Sequence, residues 1–338
     1  MPRRISLLHG PTPIERRPAL DEIVGANVWI KRDDATGGAE AGNKIRKLEF
    51  LLAAAIDAGA EVVVTCGGEQ SNHARATALA CARLGLGSVL YLRVHDPKNK
   101  RLALEGNVLL DRLAGADICL LSNAEYRERN GIMEQARLEL EREGVRAYVI
   151  PEGGSNGLGS LGYVEAMREV RGQLDLGLVG ELRFFDLVAH ACGSGGTAAG
   201  TALGAAAFGV AERTWAFAVC DDVDYFARVI GDIALETHGW DPSLPGPGAL
   251  AESLVIDDAA KGPAYGVMSE DQKRFLVNVA RKTGLILDPV YSGKALYGVA
   301  QAVQQGRIAS NANVLFLHTG GLPGLLAQGE SLREALDD

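Results

Sequence analysis

No apolar run in the 338-residue chain reaches the ~20 residues that a membrane-spanning helix needs. Basic residues are not in excess either. Lys and Arg number 34 against 43 Asp and Glu, a formal net charge of −9, which argues against the basic face that nucleic-acid binding requires. Cysteines are few and odd in number: Cys66, Cys81, Cys119, Cys192 and Cys220 are scattered through apolar segments. That pattern argues against a disulfide framework and predicts reduced, buried thiols in a cytoplasmic protein. The six histidines show no HxxxH spacing and the cysteines no CxxC spacing, so no metal site is predicted. Internal repeats and long linkers are missing. The stretch "MPRRISLLHGPTPIERRPAL" carries arginines, but its apolar part is too short for a signal peptide and no small-residue cleavage site follows.

What is present is an ordinary globular composition, 47% hydrophobic and 23% charged. The length suffices for about two domains. The 42 glycines cluster at the ends of apolar runs, which predicts tight strand-to-helix turns. Apolar β-type runs fall at 27–30, 61–65, 88–92, 117–121, 146–150, 184–190, 215–219 and 313–318, with helical stretches between them. Continuous rather than alternating apolar strands separated by helices predict parallel sheets covered on both faces. The expected fold is α/β with two domains, each an open, twisted, mostly parallel sheet flanked by helices. A boundary is expected near the glycine-dense "PEGGSNGLGSLG" (151–162). In such sheets ligands bind beyond the carboxyl ends of the strands.

The loops after those strands carry the chemistry. In "AGNKIRKLEF" (41–50), Asn43 is a candidate N-cap, and Lys44, Arg46 and Lys47 fill the first turn of a predicted helix. Cations there oppose the helix dipole, so an anion is expected to arrive. A lysine between desolvating walls has a lowered pKa and serves as a nucleophilic amine, while the other cations neutralise a phosphate. The plainer reading is a solvated cationic patch. In "CGGEQSNHARATA" (66–78), Ser71 or Asn72 caps a helix and leaves the amides of residues 71–73 free for an anion such as a carboxylate. A simple cap is the plainer reading here.

In "ACGSGGTAAG" (191–200), small residues between strand and helix outline a phosphate cradle, helped by the Ser194 and Thr197 hydroxyls. Gly193, Gly195 and Ala198 also satisfy a loose dinucleotide fingerprint. An oxidoreductase of that kind needs an acidic ribose ligand about 20 positions on, and Asp221 and Asp222 lie slightly too far along. Near the C-terminus, Tyr291 follows a proline-fixed turn and Thr319 precedes a Gly-Gly pair. In isolation these are packing and a turn. A reactive lysine, a phosphate cradle, an anion-holding Ser-Asn loop and a late hydroxyl are together the parts of a pyridoxal phosphate site.

The motifs "GNKIRKLEF", "QSNHARATA", "GSGGTAAG", "GPAYG" (262–266), "DPVYSGKA" and "LHTGG" follow one another in this chain from about residue 11 to 327. Their order and spacing resemble those of the pyridoxal-phosphate enzymes of the 1-aminocyclopropane-1-carboxylate deaminase and D-cysteine desulfhydrase family. That family has the tryptophan-synthase-β-like fold, fold type II. The resemblance implies that Lys44 carries the cofactor covalently and that Lys47 lies near its phosphate. Ser194, Gly195, Gly196 and Thr197 would hold that phosphate, Asn72 the ring 3′-oxygen, and Thr319 would face the pyridine nitrogen. Ser71, Asn72 and His73 would bind substrate together with Tyr265, Tyr291 and Ser292. Lys44, Ser71, Tyr265 and Tyr291 are the implied catalytic set. Residues 1–43 with 160–338 would form the larger, cofactor-binding domain, and 44–159 the smaller one carrying the Ser-Asn-His loop.

Departures from the pattern refine the activity. Cyclopropane-opening members have a glutamate after the second tyrosine and a leucine before the late Gly-Gly, where this chain has Ser292 and Thr319. Both changes resemble the D-cysteine desulfhydrase branch. A hydroxyl such as Thr319 leaves the pyridine nitrogen largely neutral, which suits direct β-elimination. Ala41 replaces a glycine, and Glu69 stands where an apolar residue is expected. A Glu69 facing the cleft would disfavour a sulfonate such as L-cysteate. The implied reaction converts a small β-substituted amino acid to pyruvate, ammonia and the leaving group. The alternatives are cyclopropane deamination, an L-cysteate sulfo-lyase, and a cofactor binder without turnover. A homodimer is implied by the resemblance.

Overall fold

The computed structural model describes residues 1–99 and 101–337. Its strands are β1 (Ile14–Arg16), β2 (Asn27–Lys31), β3 (Val62–Gly68), β4 (Gly87–Arg93), β5 (Asp117–Leu121), β6 (Ala147–Val149), β7 (Phe185–Cys192), β8 (Ala211–Ala218), β9 (Leu254–Asp257) and β10 (Asn313–Leu317). They form a six-stranded sheet in the order β1-β2-β10-β7-β8-β9 and a four-stranded sheet in the order β5-β4-β3-β6. Every pairing is parallel except β1 with β2. The expected α/β architecture of two mostly parallel sheets is therefore what the chain adopts.

Helices follow most strands. The first half contains α1 (Pro18–Val24), α2 (Lys44–Asp57), α3 (Asn72–Arg83), α4 (Gly106–Leu113), α5 (Arg129–Arg142) and α6 (Gly157–Asp175). The second half contains α7 (Gly196–Phe208), α8 (Val223–Trp240), α9 (Leu250–Ser253), α10 (Glu270–Thr283), α11 (Ser292–Gln304), α12 (Leu322–Leu326) and α13 (Arg333–Asp337). Among the described residues no helix is long and apolar enough to cross a membrane.

All eight sequence-predicted strand runs coincide with strands, because each is a run of mainly apolar residues, largely buried in β3, β7 and β10 and partly buried in β5 and β6. Two strands were not predicted. β1 is a three-residue edge strand and β9 a short half-buried one, and an edge needs only one apolar face. β8 starts at Ala211, four residues before its apolar run, since "AERT" extends the pairing with β7 at the exposed end.

Helix α2 joins the two sheets. Its Leu48, Leu51 and Leu52 share one apolar cluster with Leu161 of α6, Leu203 of α7 and Val63 of β3. A buried polar network sits beneath the first turn of α2. Arg46 contacts both Asp33 (2.8 Å) and Glu169 (3.0 Å), Lys31 contacts Glu169 (2.5 Å), and Tyr163 donates to Asp33 (2.7 Å). This corrects one reading of the cationic stretch. Arg46 does not face an anion site but is a 3% exposed structural anchor on the opposite side of the helix from Lys44.

Candidate active site

The carboxyl ends of β3, β7 and β10 meet at a cavity of about 850 Å³, lined from both sheets. Strand geometry is the reason. Parallel strands all point their carboxyl ends one way, and the glycine-rich turns after β3, β7 and β10 leave room there.

Lys44 is the first residue of α2 and lines this cavity. Its amine has no hydrogen-bond or ion-pair partner among the described residues. Burial lowers its pKa to about 8, and Glu152 offsets this only in part. Asn43 does not cap α2 through its side chain, because its own backbone is already helical. Its Nδ2 instead donates to Thr197 Oγ1 (3.2 Å), and its backbone N–H donates to the Thr319 carbonyl (3.0 Å). The lysine is thereby tied to the loops after β7 and β10.

On the β3 side Ser71, not Asn72, is the N-cap of α3, accepting from the Ala74 N–H at 3.1 Å. Asn72 Oδ1 accepts from Asn107 Nδ2 (3.1 Å), which fixes the amide and leaves its NH₂ toward the cavity. His73 also lines the cavity, and its Nε2 lies 2.9 Å from Thr65 Oγ1. The single Thr65 proton is given to the Ile150 carbonyl (2.7 Å), so Thr65 must accept and His73 Nε2 must carry the proton. His73 Nδ1 is then a bare acceptor, buried and without a partner among the described residues. Burial, with Lys44 and Lys47 close by, pushes its pKa well down and keeps the ring neutral.

The loop after β7 runs from Gly193 into the N-terminus of α7, with Gly195 at φ +84°, a region that favours glycine. Ser194 Oγ lies 2.8 Å from Ser155 Oγ, and Ser155 Oγ accepts from the Gly196 N–H at 3.3 Å. Lys47 does not line the cavity but reaches the back of this loop, donating to Ser155 Oγ and to the Gly153 carbonyl, both at 3.1 Å. A Cβ at Gly196 would sit 2.9 Å from the backbone Cα of Ser155, so only glycine fits.

Tyr265 and Tyr291 close the opposite wall, with their hydroxyls 2.6 Å apart and rings edge-to-face. Burial raises the pKa of Tyr265 to about 12 and that of Tyr291 well above its usual value. Thr319 lines the cavity too, and its hydroxyl has no partner among the described residues. Ser292 is a correction: it is 0% exposed and away from the cavity. Its hydroxyl donates to Asp288 Oδ1 (2.6 Å) and accepts from the Asp288 N–H (2.9 Å), so it braces the turn that presents Tyr291. Glu69 does not line the cavity.

Several site residues escaped the sequence reading. Ser155 and Gly153 lie in the glycine-dense 151–162 stretch, whose glycines and serines are a cradle composition as well as a boundary signal. Arg93, Tyr126 and Glu152 line the same cavity, and nothing local in the sequence marks them. Lys294 lies in a quoted motif, but only the fold reveals that it donates to the carbonyls of Lys261 (2.6 Å) and Ala264 (2.9 Å), beneath Tyr265.

Residues 5–320 match the family model described as "Pyridoxal-phosphate dependent enzyme". The chain belongs to the pyridoxal-phosphate-dependent enzymes. It is 44% identical over 330 residues to the bifunctional D-cysteine desulfhydrase/1-aminocyclopropane-1-carboxylate deaminase, mitochondrial, of Arabidopsis thaliana, covering 95% of this chain and 78% of that protein. A crystal structure of an ACC deaminase homologue superposes with a TM-score of 0.85 at 35% identity, covering 99% of this chain and 96% of that one. The processed threonine deaminase isoform 2 of Solanum lycopersicum shares the fold at TM-score 0.62 and 18% identity, covering 96% and 83%.

The cavity fits the cofactor of this pyridoxal-phosphate family on its own geometry. The unpartnered Lys44 amine suits an aldehyde. The α7 N-terminus has no side-chain cap, and its glycines leave backbone amides and the Ser194 and Thr197 hydroxyls for a phosphate. The Thr319 hydroxyl suits a ring nitrogen, and the Asn72 NH₂ a ring oxygen.

Proposed function

We propose that this protein is a lyase that removes the β-substituent of a small amino acid, in the manner of a D-cysteine desulfhydrase, releasing pyruvate and ammonia. One observation carries the reading. A lysine amine with a pKa of about 8 and a pair of protonated tyrosine hydroxyls face one cavity.

Bound in the cavity through Lys44, pyridoxal phosphate supplies an aldehyde carbon for the substrate's amino group and an electron-withdrawing ring that acidifies the Cα–H bond. The chain's own residues do the rest. The amides of residues 71–73 at the α3 N-terminus hold the α-carboxylate, and the Ser71 hydroxyl proton remains free to join them. Lys44 is the base for the α-proton, since its amine is partly neutral near pH 8. The tyrosines are not bases. With the Tyr265 pKa pushed up to about 12 and that of Tyr291 well above its usual value, they stay protonated and donate, and one of the two hydroxyl protons is free for the substrate. Lys47 and Ser155 support the phosphate loop from behind.

A second reading, 1-aminocyclopropane-1-carboxylate deamination, is favoured by the name of the Arabidopsis relative, which carries both activities. Incubating the holoenzyme with D- and L-cysteine, β-chloroalanine, cysteate and the cyclopropane amino acid separates them. Pyruvate from a β-substituted alanine supports the lyase, 2-oxobutyrate from the cyclopropane supports the second reading, and no keto acid from any member rejects both. We further place the enzyme in a reducing compartment, the cytoplasm, which the five unpaired cysteines support. A homodimer is proposed as well, and light scattering at twice the 35.7 kDa chain mass is the result expected.

A further inference from the structure

Arg93 ends β4 and pairs in register with Gly68 of β3. A Cβ at position 68 would sit at ordinary contact distance from Arg93 Nη2 (4.0 Å) and Tyr265 Cε1 (3.7 Å), which places both side chains together over the end of β3. The guanidinium lies over two rings, 5.0 Å from the centre of Tyr126 and 5.4 Å from that of Tyr265. It makes no ion pair among the described residues. The cavity carboxylate on this side, Glu152, is already engaged: Tyr126 donates to Oε1 (2.8 Å) and Arg129 pairs with Oε2 (3.0 Å). Asp221 also lines the cavity but makes no ion pair with Arg93, and Glu69 lies outside the lining.

A guanidinium fixed by stacking but left without a counter-charge in a cavity is a site for an anion. The α-carboxylate has its own partners in the amides at 71–73, so the second anion belongs at the other end of the amino acid. We propose that Arg93 receives the substrate's β-substituent as it departs as an anion, and thereby sets the preference for leaving groups. This rests on the lyase reading and adds the contact that reading lacks. With cysteine, the Cα–H bond breaks and its proton goes to the enzyme's base. That electron pair becomes the second Cα–Cβ bond, and the Cβ–S bond breaks with its pair on sulfur. Sulfur leaves as HS⁻, beside the guanidinium.

The test separates the α-proton step from the leaving-group step. Alanine of the configuration that cysteine turnover prefers has no leaving group, and its α-hydrogen exchange in D₂O, followed by NMR, reports only the first step. In Arg93→Gln holoenzyme, elimination from cysteine is expected to fall by about tenfold or more, with alanine exchange kept within about twofold. Arg93→Lys, which keeps the charge, is expected to lie between. Equal losses in both assays, or no loss in either, would overturn the assignment. The unaltered holoenzyme gives an independent measurement should the variants fail to fold. Sodium sulfate is expected to inhibit elimination from cysteine while leaving alanine exchange unaffected, and inhibition of both or of neither overturns the assignment. If the unaltered holoenzyme performs neither exchange nor elimination, the lyase reading itself fails and Arg93 falls with it.

Discussion

At the scale of single residues, the cationic start of α2 resolves into three different jobs. Lys44 faces the cavity, Lys47 backs the phosphate loop, and Arg46 turns away into a buried network. Helical spacing explains part of the split: Arg46, two positions on, points away from Lys44, whereas Lys47, three positions on, stays on the neighbouring face and reaches the back of the loop. The motif was legible in the sequence, but the division of labour was not. Because burial holds the Lys44 amine near a pKa of about 8, it is protonated below that pH and unable to attack an aldehyde. Covalent capture of pyridoxal phosphate by cofactor-free protein, followed by absorbance in stopped flow, is therefore predicted to slow as pH falls from 9 to 7. A pKa of about 8 makes that fall shallow from 9 to 8 and steeper from 8 to 7; a full tenfold loss per pH unit across the whole interval, as an ordinary lysine would show, would contradict a lowered pKa. Lys44→Ala is predicted to lose roughly 10³-fold or more in turnover of the best substrate while keeping its melting temperature, measured by keto-acid assay and calorimetry.

At the scale of elements, the site depends on turns that hold side chains in place. Asp288 accepts the N–H groups of Val290, Tyr291 and Ser292, and so aims Tyr291 from the start of α11. Lys294, one turn into that helix and 0% exposed, holds the loop bearing Tyr265 by its carbonyls. Both supports lie in the quoted "DPVYSGKA" stretch, yet their partners are distant or backbone groups that no spacing rule points to. Lys294→Met removes two donors while keeping the chain's bulk. We predict a fall in kcat of about ten- to a hundredfold with the cofactor spectrum unchanged, because a displaced Tyr265 misplaces a donor without touching the cofactor. An unchanged kcat would mean that the loop is held by other means. The same contrast explains what the strands revealed. Continuous apolar runs announced eight strands, including the half-buried edges β5 and β6, whereas β1 (Ile-Glu-Arg) carries a single apolar residue and β9 only a short run of three.

At the scale of the molecule, α2 and the network beneath it join the N-terminal segment, the six-stranded sheet and α6. Burial alone would raise the pKa of Asp33 and Glu169, but Arg46, helped by Lys31, outweighs it and holds both below the usual carboxylate range. Their contribution is therefore complete above about pH 4, where unfolded carboxylates are already ionised, and is lost as pH falls through the lower folded values. Thermal unfolding from pH 6 to 2 should show the steepest loss below about pH 4. Arg46→Met should destabilise at neutral pH by about 3–5 kcal/mol in denaturant unfolding, because it strips the buried Asp33 carboxylate of its cation and leaves Glu169 to Lys31 alone. A cost under about 1 kcal/mol would indicate that water reaches the pair.

A covalent bond between Lys44 and the cofactor is central to the proposed chemistry. Borohydride reduction of the purified holoenzyme, followed by peptide mapping by mass spectrometry, tests this directly. The predicted result is a pyridoxyl phosphate adduct on the peptide containing residues 43–46, at Lys44 alone. An adduct on Lys47 or Lys294, or no adduct on a protein that turns over substrate, would contradict it.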